Sequence, residues 1–119
     1  MKKTPLEEWK AGLRVPGLPD EWEAKNLLRR YGIPVPDGVR LPPAGSPGGT
    51  EEAVAAAALC PAVVKVCSPH ILHKTEVGGV RLRVSRGDME EVVAGFRLKF
   101  PGEPVLVEKS VPLTGPEFI

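Results

Sequence analysis

The stretch Ser68-Pro69-His70-Ile71-Leu72-His73-Lys74-Thr75-Glu76-Val77-Gly78-Gly79-Val80 holds two imidazoles, an ammonium group and a Gly-Gly pair. A histidine in an exposed loop offers a neutral ring nitrogen near pH 7, the requirement for a reactive imidazole. His70 and His73, three apart, read equally as surface residues, as a weak metal pair or as a catalytic site. Two ligands with no carboxylate companion at fixed spacing make poor evidence for a metal, and no residue is assigned to one. Gly78-Gly79 lets backbone N–H groups approach a phosphate, although a lone Gly-Gly is more often a bulge or tight turn. Lys74 and Lys65 can supply positive charge from the loop and from the strand before it. Lys65 is the sharper signal, because it interrupts the apolar run Ala62-Val63-Val64-Lys65-Val66. A lysine facing the core would be costly, so Lys65 faces solvent or a cleft holding an anion.

Composition narrows the classes. With 16 Lys plus Arg against 15 Asp plus Glu, the chain of 119 residues carries a formal charge of +1. No global field draws in nucleic acid or an anionic membrane, so an anion site must be local. The length suits one domain with a modest core. Cys60 and Cys67 have neither disulfide-framework nor zinc-finger spacing and read as small buried hydrophobes. The N-terminus turns acidic where a signal peptide needs an apolar stretch, and no run is long enough to span a bilayer, so the expectation is a cytoplasmic protein. G-x-x-x-x-G-K-[ST] and G-x-G-x-x-G are both absent. RNA recognition on a sheet would need exposed aromatics that Ala62 to Val66 and Val80 to Val84 lack.

The elements that must position these groups follow from capping and periodicity. Thr4, Pro5 and Glu7 start a short helix that Gly12 stops, with Leu6, Trp9 and Leu13 on one face that docks on the body or meets a partner. Residues 1–19 thus read as an arm and 20–119 as the body. Asp20 with Glu23 repeats the capping-box pattern, and Ala24, Leu27, Leu28 and Tyr31 recur at helical spacing until Gly32. A Pro- and Gly-rich segment follows, with a short edge strand around Val35 to Leu41. Thr50 caps an Ala-rich helix from Glu51 to about Leu59. Ala62 to Val66 is a buried strand. Val80, Leu82 and Val84 alternate with Arg81 and Arg83, a strand with one wet face. Asp88 and Glu91 cap a helix carrying Met89, Val92, Val93 and Phe96, and Val105 to Lys109 is the last strand. The order is an α+β, βαββαβ arrangement of the ferredoxin-like type, with helices on one face and Ser68 to Val80 joining two central strands.

Glu23-Ala24-Lys25, Leu27-Leu28, Tyr31-Gly32-Ile33-Pro34-Val35-Pro36, Glu51-Glu52-Ala53, Pro61 to Val66 and Ser68-Pro69-x-Ile71-x-His73-Lys74-Thr75-Glu76-x-Gly78-Gly79-Val80 occur in a familiar order. From about Pro19 onward the chain resembles the ATP-grasp part of ADP-forming (NDP-forming) acyl-CoA synthetases. That group includes the acetyl-CoA synthetase β subunit and is similar to the succinyl-CoA synthetase β chain.

The resemblance implies an ATP-grasp N-terminal lobe that binds ATP or ADP. It matches Lys25 and Lys65 to lysines on nucleotide phosphates, with Lys74, Gly78 and Gly79 beside them. Glu108, Lys109 and Val111 match the hinge strand at the adenine edge, and Glu117 a glutamate near the ribose. His73 matches a histidine that accepts a phosphoryl group and passes it to ADP. In such enzymes acid, CoA and ATP exchange with acyl-CoA, ADP and phosphate. The expectation is that a second chain supplies the other ATP-grasp lobe, with most of the Mg²⁺ ligands, and the CoA-binding domains, in an assembly that can also be homo-oligomeric. The competing expectation is a non-catalytic binding or regulatory module, or a truncated remnant, that keeps the scaffold.

Overall fold

The computed structural model describes residues 4–45, 50–71 and 73–110, and the side chains of 50 and 51 lie outside that description. Two helices open the chain, each started by the residues expected. Thr4 caps α1 (Pro5–Ala11) by accepting the Glu7 N–H on its hydroxyl at 3.1 Å. Asp20 caps α2 (Glu21–Arg30) with a complete capping box: Asp20 Oδ1 accepts the Glu23 N–H at 2.8 Å and Glu23 Oε1 accepts the Asp20 N–H at 3.0 Å. The arm docks on this turn through polar contacts. The Trp9 indole N–H donates to the Glu23 carbonyl at 2.7 Å, and the Arg14 backbone N–H donates to Glu23 Oε2 at 2.8 Å.

Beyond α2 the order is β1 (Gly38–Leu41), α3 (Thr50–Ala58), β2 (Ala62–Val66), β3 (Val80–Val84), α4 (Met89–Lys99) and β4 (Val105–Lys109). This is the expected βαββαβ sequence of elements in an α+β body. The strands form one antiparallel sheet in the order β1-β4-β2-β3. The second and fourth strands are therefore central, where a ferredoxin-like sheet has its first and third. The reason lies in β4: Val105, Leu106 and Val107 are all buried, so both of its faces need cover, which only a central position supplies. The Ser68 to Val80 segment accordingly runs from a central strand to an edge strand and does not join two central ones. β1, flanked by Pro36 and Pro42, sits at the other edge because proline cannot donate to a ladder.

The core fills the face of the sheet covered by α3 and α4. Leu41, Val64, Val66, Val84, Val105 and Val107 pack there against Ala56, Met89, Val93 and Phe96. Burying each of the larger side chains contributes about 1.5–3 kcal/mol. Two local expectations need correction, and a third cannot be compared. Asp88 gives α4 no side-chain cap; it accepts instead from the Ser85 hydroxyl at 3.1 Å, in a turn before the helix. The cap expected of Thr50 lies outside the described side chains. Leu82, expected on one face with Val80 and Val84, is instead 65% exposed. Opposite Ala62 to Val64, β3 carries an extra residue between Arg81 and Val84, and Arg83 takes φ 54°, so the alternation breaks at a bulge.

Candidate functional site

The sheet face opposite the core is the chemical one. Strand pairing aligns Gly38 with Glu108, Arg40 with Leu106, and Leu106 with Lys65, placing Arg40, Glu108, Lys65 and Val80 on one surface. The first turn of α2 lies over it. Glu21 and Lys25, one helical turn apart, both project towards the strands, and Lys25 reaches Glu108.

Three ammonium groups converge on the Glu21 carboxylate. Its Oε2 accepts from Lys25 at 2.7 Å and Lys65 at 2.6 Å, while Oε1 accepts from Lys74 at 2.6 Å. Glu108 completes the cluster, its Oε2 at 2.5 Å from Lys25 and its Oε1 at 3.0 Å from Lys65. Burial works to push the Glu21 carboxyl up, yet hydrogen bonds from Lys25, Lys65 and Lys74 bring it from 4.5 down to about 2. For Lys65, burial works to lower the ammonium pKa, but Glu21 and Glu108 outweigh it and leave it raised. The lysine in the apolar strand therefore faces carboxylates of this same chain, a solution its position in the sequence does not reveal.

Beside the cluster lies an open cavity of about 600 Å³, a volume suited to a small ligand. Lys65, Lys74, Glu21 and His73 all line it, with Ser68, Pro69 and Ile71 from the loop. His73 is exposed. His70 is exposed too, does not line this cavity, and donates its backbone N–H to the Ser68 hydroxyl at 3.2 Å. A second cavity, about 970 Å³, lies on the core side between α3 and α4 and is lined mostly by small and apolar residues, without the lysine cluster or a histidine. Volume favours it; chemistry favours the first.

The remaining expected residues divide. The N–H groups of Gly78 and Gly79 are used inside the loop, donating to the carbonyls of Thr75 at 3.2 Å and Lys74 at 2.6 Å. The glycines serve the turn instead: Gly78 has φ 70°, and a Cβ on Gly79 would come within 2.6 Å of the Val66 side chain. Lys109 is exposed at the end of β4, where alternation turns it away from Glu108, and its N–H donates to the Asp37 carbonyl at 2.9 Å. Val111 and Glu117 lie outside the described residues.

Two features were not expected from residue types alone. Glu21 is the hub of the cluster, and the signal for it was the i,i+4 spacing from Lys25. Arg40 stacks over the Trp22 ring at 4.4 Å and pairs with the buried Asp20 at 2.7 Å and Glu23 at 3.3 Å. This second ion cluster fixes the first turn of α2 on the sheet and so sets where Glu21 projects. Burial opposes the Arg40 charge, but Asp20 and Glu23 raise its pKa above the ordinary value. Cys67 is buried and its thiol is pushed up to about 12, chiefly by burial, which makes it inert.

Comparison with known proteins bears on the family and the fold. Residues 16–113 match the model of the ATP-grasp domain. The chain is 36% identical over 91 residues to acetate-CoA ligase (ADP-forming) I of Archaeoglobus fulgidus, covering 67% of this chain and 13% of that protein. It is 38% identical over 79 residues to the beta subunit of acetate-CoA ligase (ADP-forming) I of Pyrococcus furiosus, covering 65% of this chain and 31% of that one. Among solved structures, Ca. Korarchaeum cryptofilum ACD1 in complex with coenzyme A superposes with a TM-score of 0.57 at 30% identity, over 83% of this chain and 48% of that one. The chain thus spans less than half the length of each of these three relatives. A lysine-lined sheet face beneath a helix start, in a body with this βαββαβ order, and a match that runs through nearly all of it lead to one conclusion: the chain belongs to the ATP-grasp domain family.

Proposed function

We propose that this chain is the nucleotide-binding lobe of an ADP-forming acyl-CoA synthetase, that residues 20–119 form that lobe, and that His73 carries a phosphoryl group between an acyl phosphate and ADP. The observation that carries the reading is the meeting of Lys65, Lys74 and His73 on one open cavity, with Lys25 joined to them through Glu21. Cations suited to a polyphosphate and an accessible imidazole then share one space. In the reaction so read, an imidazole nitrogen attacks the phosphorus of an acyl phosphate, an N–P bond forms, and the acyl-oxygen bond to phosphorus breaks with release of carboxylate. A β-phosphate oxygen of ADP then attacks, ATP forms, and the imidazole is regenerated. The reverse direction activates the acid for transfer to CoA. A positioned nucleophile divides one hard transfer into two easier ones.

The family's Mg²⁺ does not fit the described residues as a resident ion. Glu21 and Glu108 are both held by ammonium groups, and no group of three or more His, Cys, Asp or Glu converges among the described residues. CoA and acyl substrates belong, on this reading, to a partner chain. Among the described residues no helix is long and apolar enough to cross a membrane.

Calorimetric titration of the chain with ATP and ADP tests the proposal. Saturable binding is expected, weakened at least tenfold in Lys65→Met, equivalent to about 1.4 kcal/mol. Failure of both nucleotides to bind, with and without the partner chain, overturns it.

A further inference from the structure

We propose that Glu21 is an internal anion that keeps the phosphate site occupied, and that a polyphosphate binds by displacing its carboxylate from Lys65 and Lys74. The proposal rests on the nucleotide-binding reading of the same lysines and adds a residue which that reading does not name.

The geometry is that of a stand-in ligand. Each ammonium group of the cluster touches Glu21, at 2.6 to 2.7 Å, the separations of charge-assisted contacts to a phosphate oxygen as much as to a carboxylate. The two acids of the cluster are not equivalent. Glu108 has its side chain 5% exposed and is locked beneath Lys25 and Lys65, whereas that of Glu21 is 23% exposed and lines the open cavity. Only Glu21 has room to swing aside.

Its departure is tolerable for two of its three partners. Lys25 and Lys65 each keep Glu108, while Lys74 has no other carboxylate contact among the described residues. With Glu21 in place, three ammonium groups meet two carboxylates, a net of one positive charge. With Glu21 out, the cluster carries two, matched to the charge of a terminal phosphate. The same movement frees Lys74, and with it the neighbouring His73, from the α2 anchor. Because the Glu21 carboxyl titrates at about 2, this competition operates undiminished at neutral pH.

Glu21→Gln removes the competing charge and keeps the shape. The 119-residue chain, wild type and variant, is titrated with inorganic tripolyphosphate and with ATP. The expected result is that both bind wild type and bind Glu21→Gln about tenfold more tightly. If both bind wild type and bind Glu21→Gln equally or more weakly, Glu21 positions the lysines and the displacement idea fails, while the nucleotide reading stands. If neither ligand binds either protein, with and without the partner chain, both ideas fail. Should Glu21→Gln not fold, Glu21→Asp decides: the shorter side chain withdraws from Lys74 with its charge kept, so tighter binding than wild type supports displacement and unchanged binding overturns it.

Discussion

Glu21 and Lys74 stand 53 positions apart in the chain and meet at 2.6 Å, so the first turn of one helix anchors the loop that carries His73. The pairing couples two segments that share no sheet hydrogen bond. It makes the lysine cluster and the histidine loop one electrostatic unit, and changes on either side should register on the other.

Lys65→Met should lower stability by about 1–3 kcal/mol, because Glu21 loses one of three partners and the more deeply buried Glu108 one of two. Urea denaturation measures it, and an unmoved midpoint would show that the pairs contribute nothing.

The Glu21 carboxyl, at about 2 in the folded chain against 4.5 ordinarily, gives stability a defined pH dependence. A depressed folded value means the contribution is complete above about 4.5 and is lost as pH falls towards about 2. Wild type should therefore exceed Glu21→Gln by on the order of 2–3 kcal/mol near neutrality, with the gap closing across that acidic window. Thermal unfolding of both proteins from pH 7 to pH 2 is the check; a gap that stays constant would sink the assignment.

His73→Asn should leave nucleotide affinity within about twofold of wild type, a few tenths of a kcal/mol, while abolishing uptake of label from γ-radiolabelled ATP in an assembly reconstituted with the partner chain proposed above. Labelling that survives the change would move the carrier role elsewhere.

Gly79→Ala should cost about 1–3 kcal/mol, since the new Cβ meets the Val66 side chain at 2.6 Å and the Lys74 carbonyl at 3.1 Å. A melting curve matching wild type would mean the turn relaxes freely.

Much of this architecture is readable from short-range chemistry. Asp20 and Glu23 declare a capping box within four residues, and Lys65 announces solvent or an anion because an apolar strand cannot hide an ammonium group. Glu21 is different: an acid in a first helical turn is already explained by the helix dipole, and its i,i+4 spacing from Lys25 points to one helix-face pair and not to a hub. Its partners come from β2 and the following loop, and only tertiary pairing brings them near. The same holds for the strand order, which follows from the need to cover β4 on both faces, and for Leu82, whose exposure depends on one extra residue placed opposite Ala62 to Val64.

That extra residue matters beyond the site. β3 is the last strand of the sheet and would otherwise present a straight row of unpaired amides and carbonyls to any second copy of the chain. The bulge at Arg83 twists that row, and the exposed guanidinium groups of Arg81 and Arg83 add like-charge repulsion to any approach. Removing Arg83 should therefore make light scattering rise with concentration where the wild type's stays flat. The irregularity that spoils the strand's alternation thus also disfavours growth of the sheet into a ribbon.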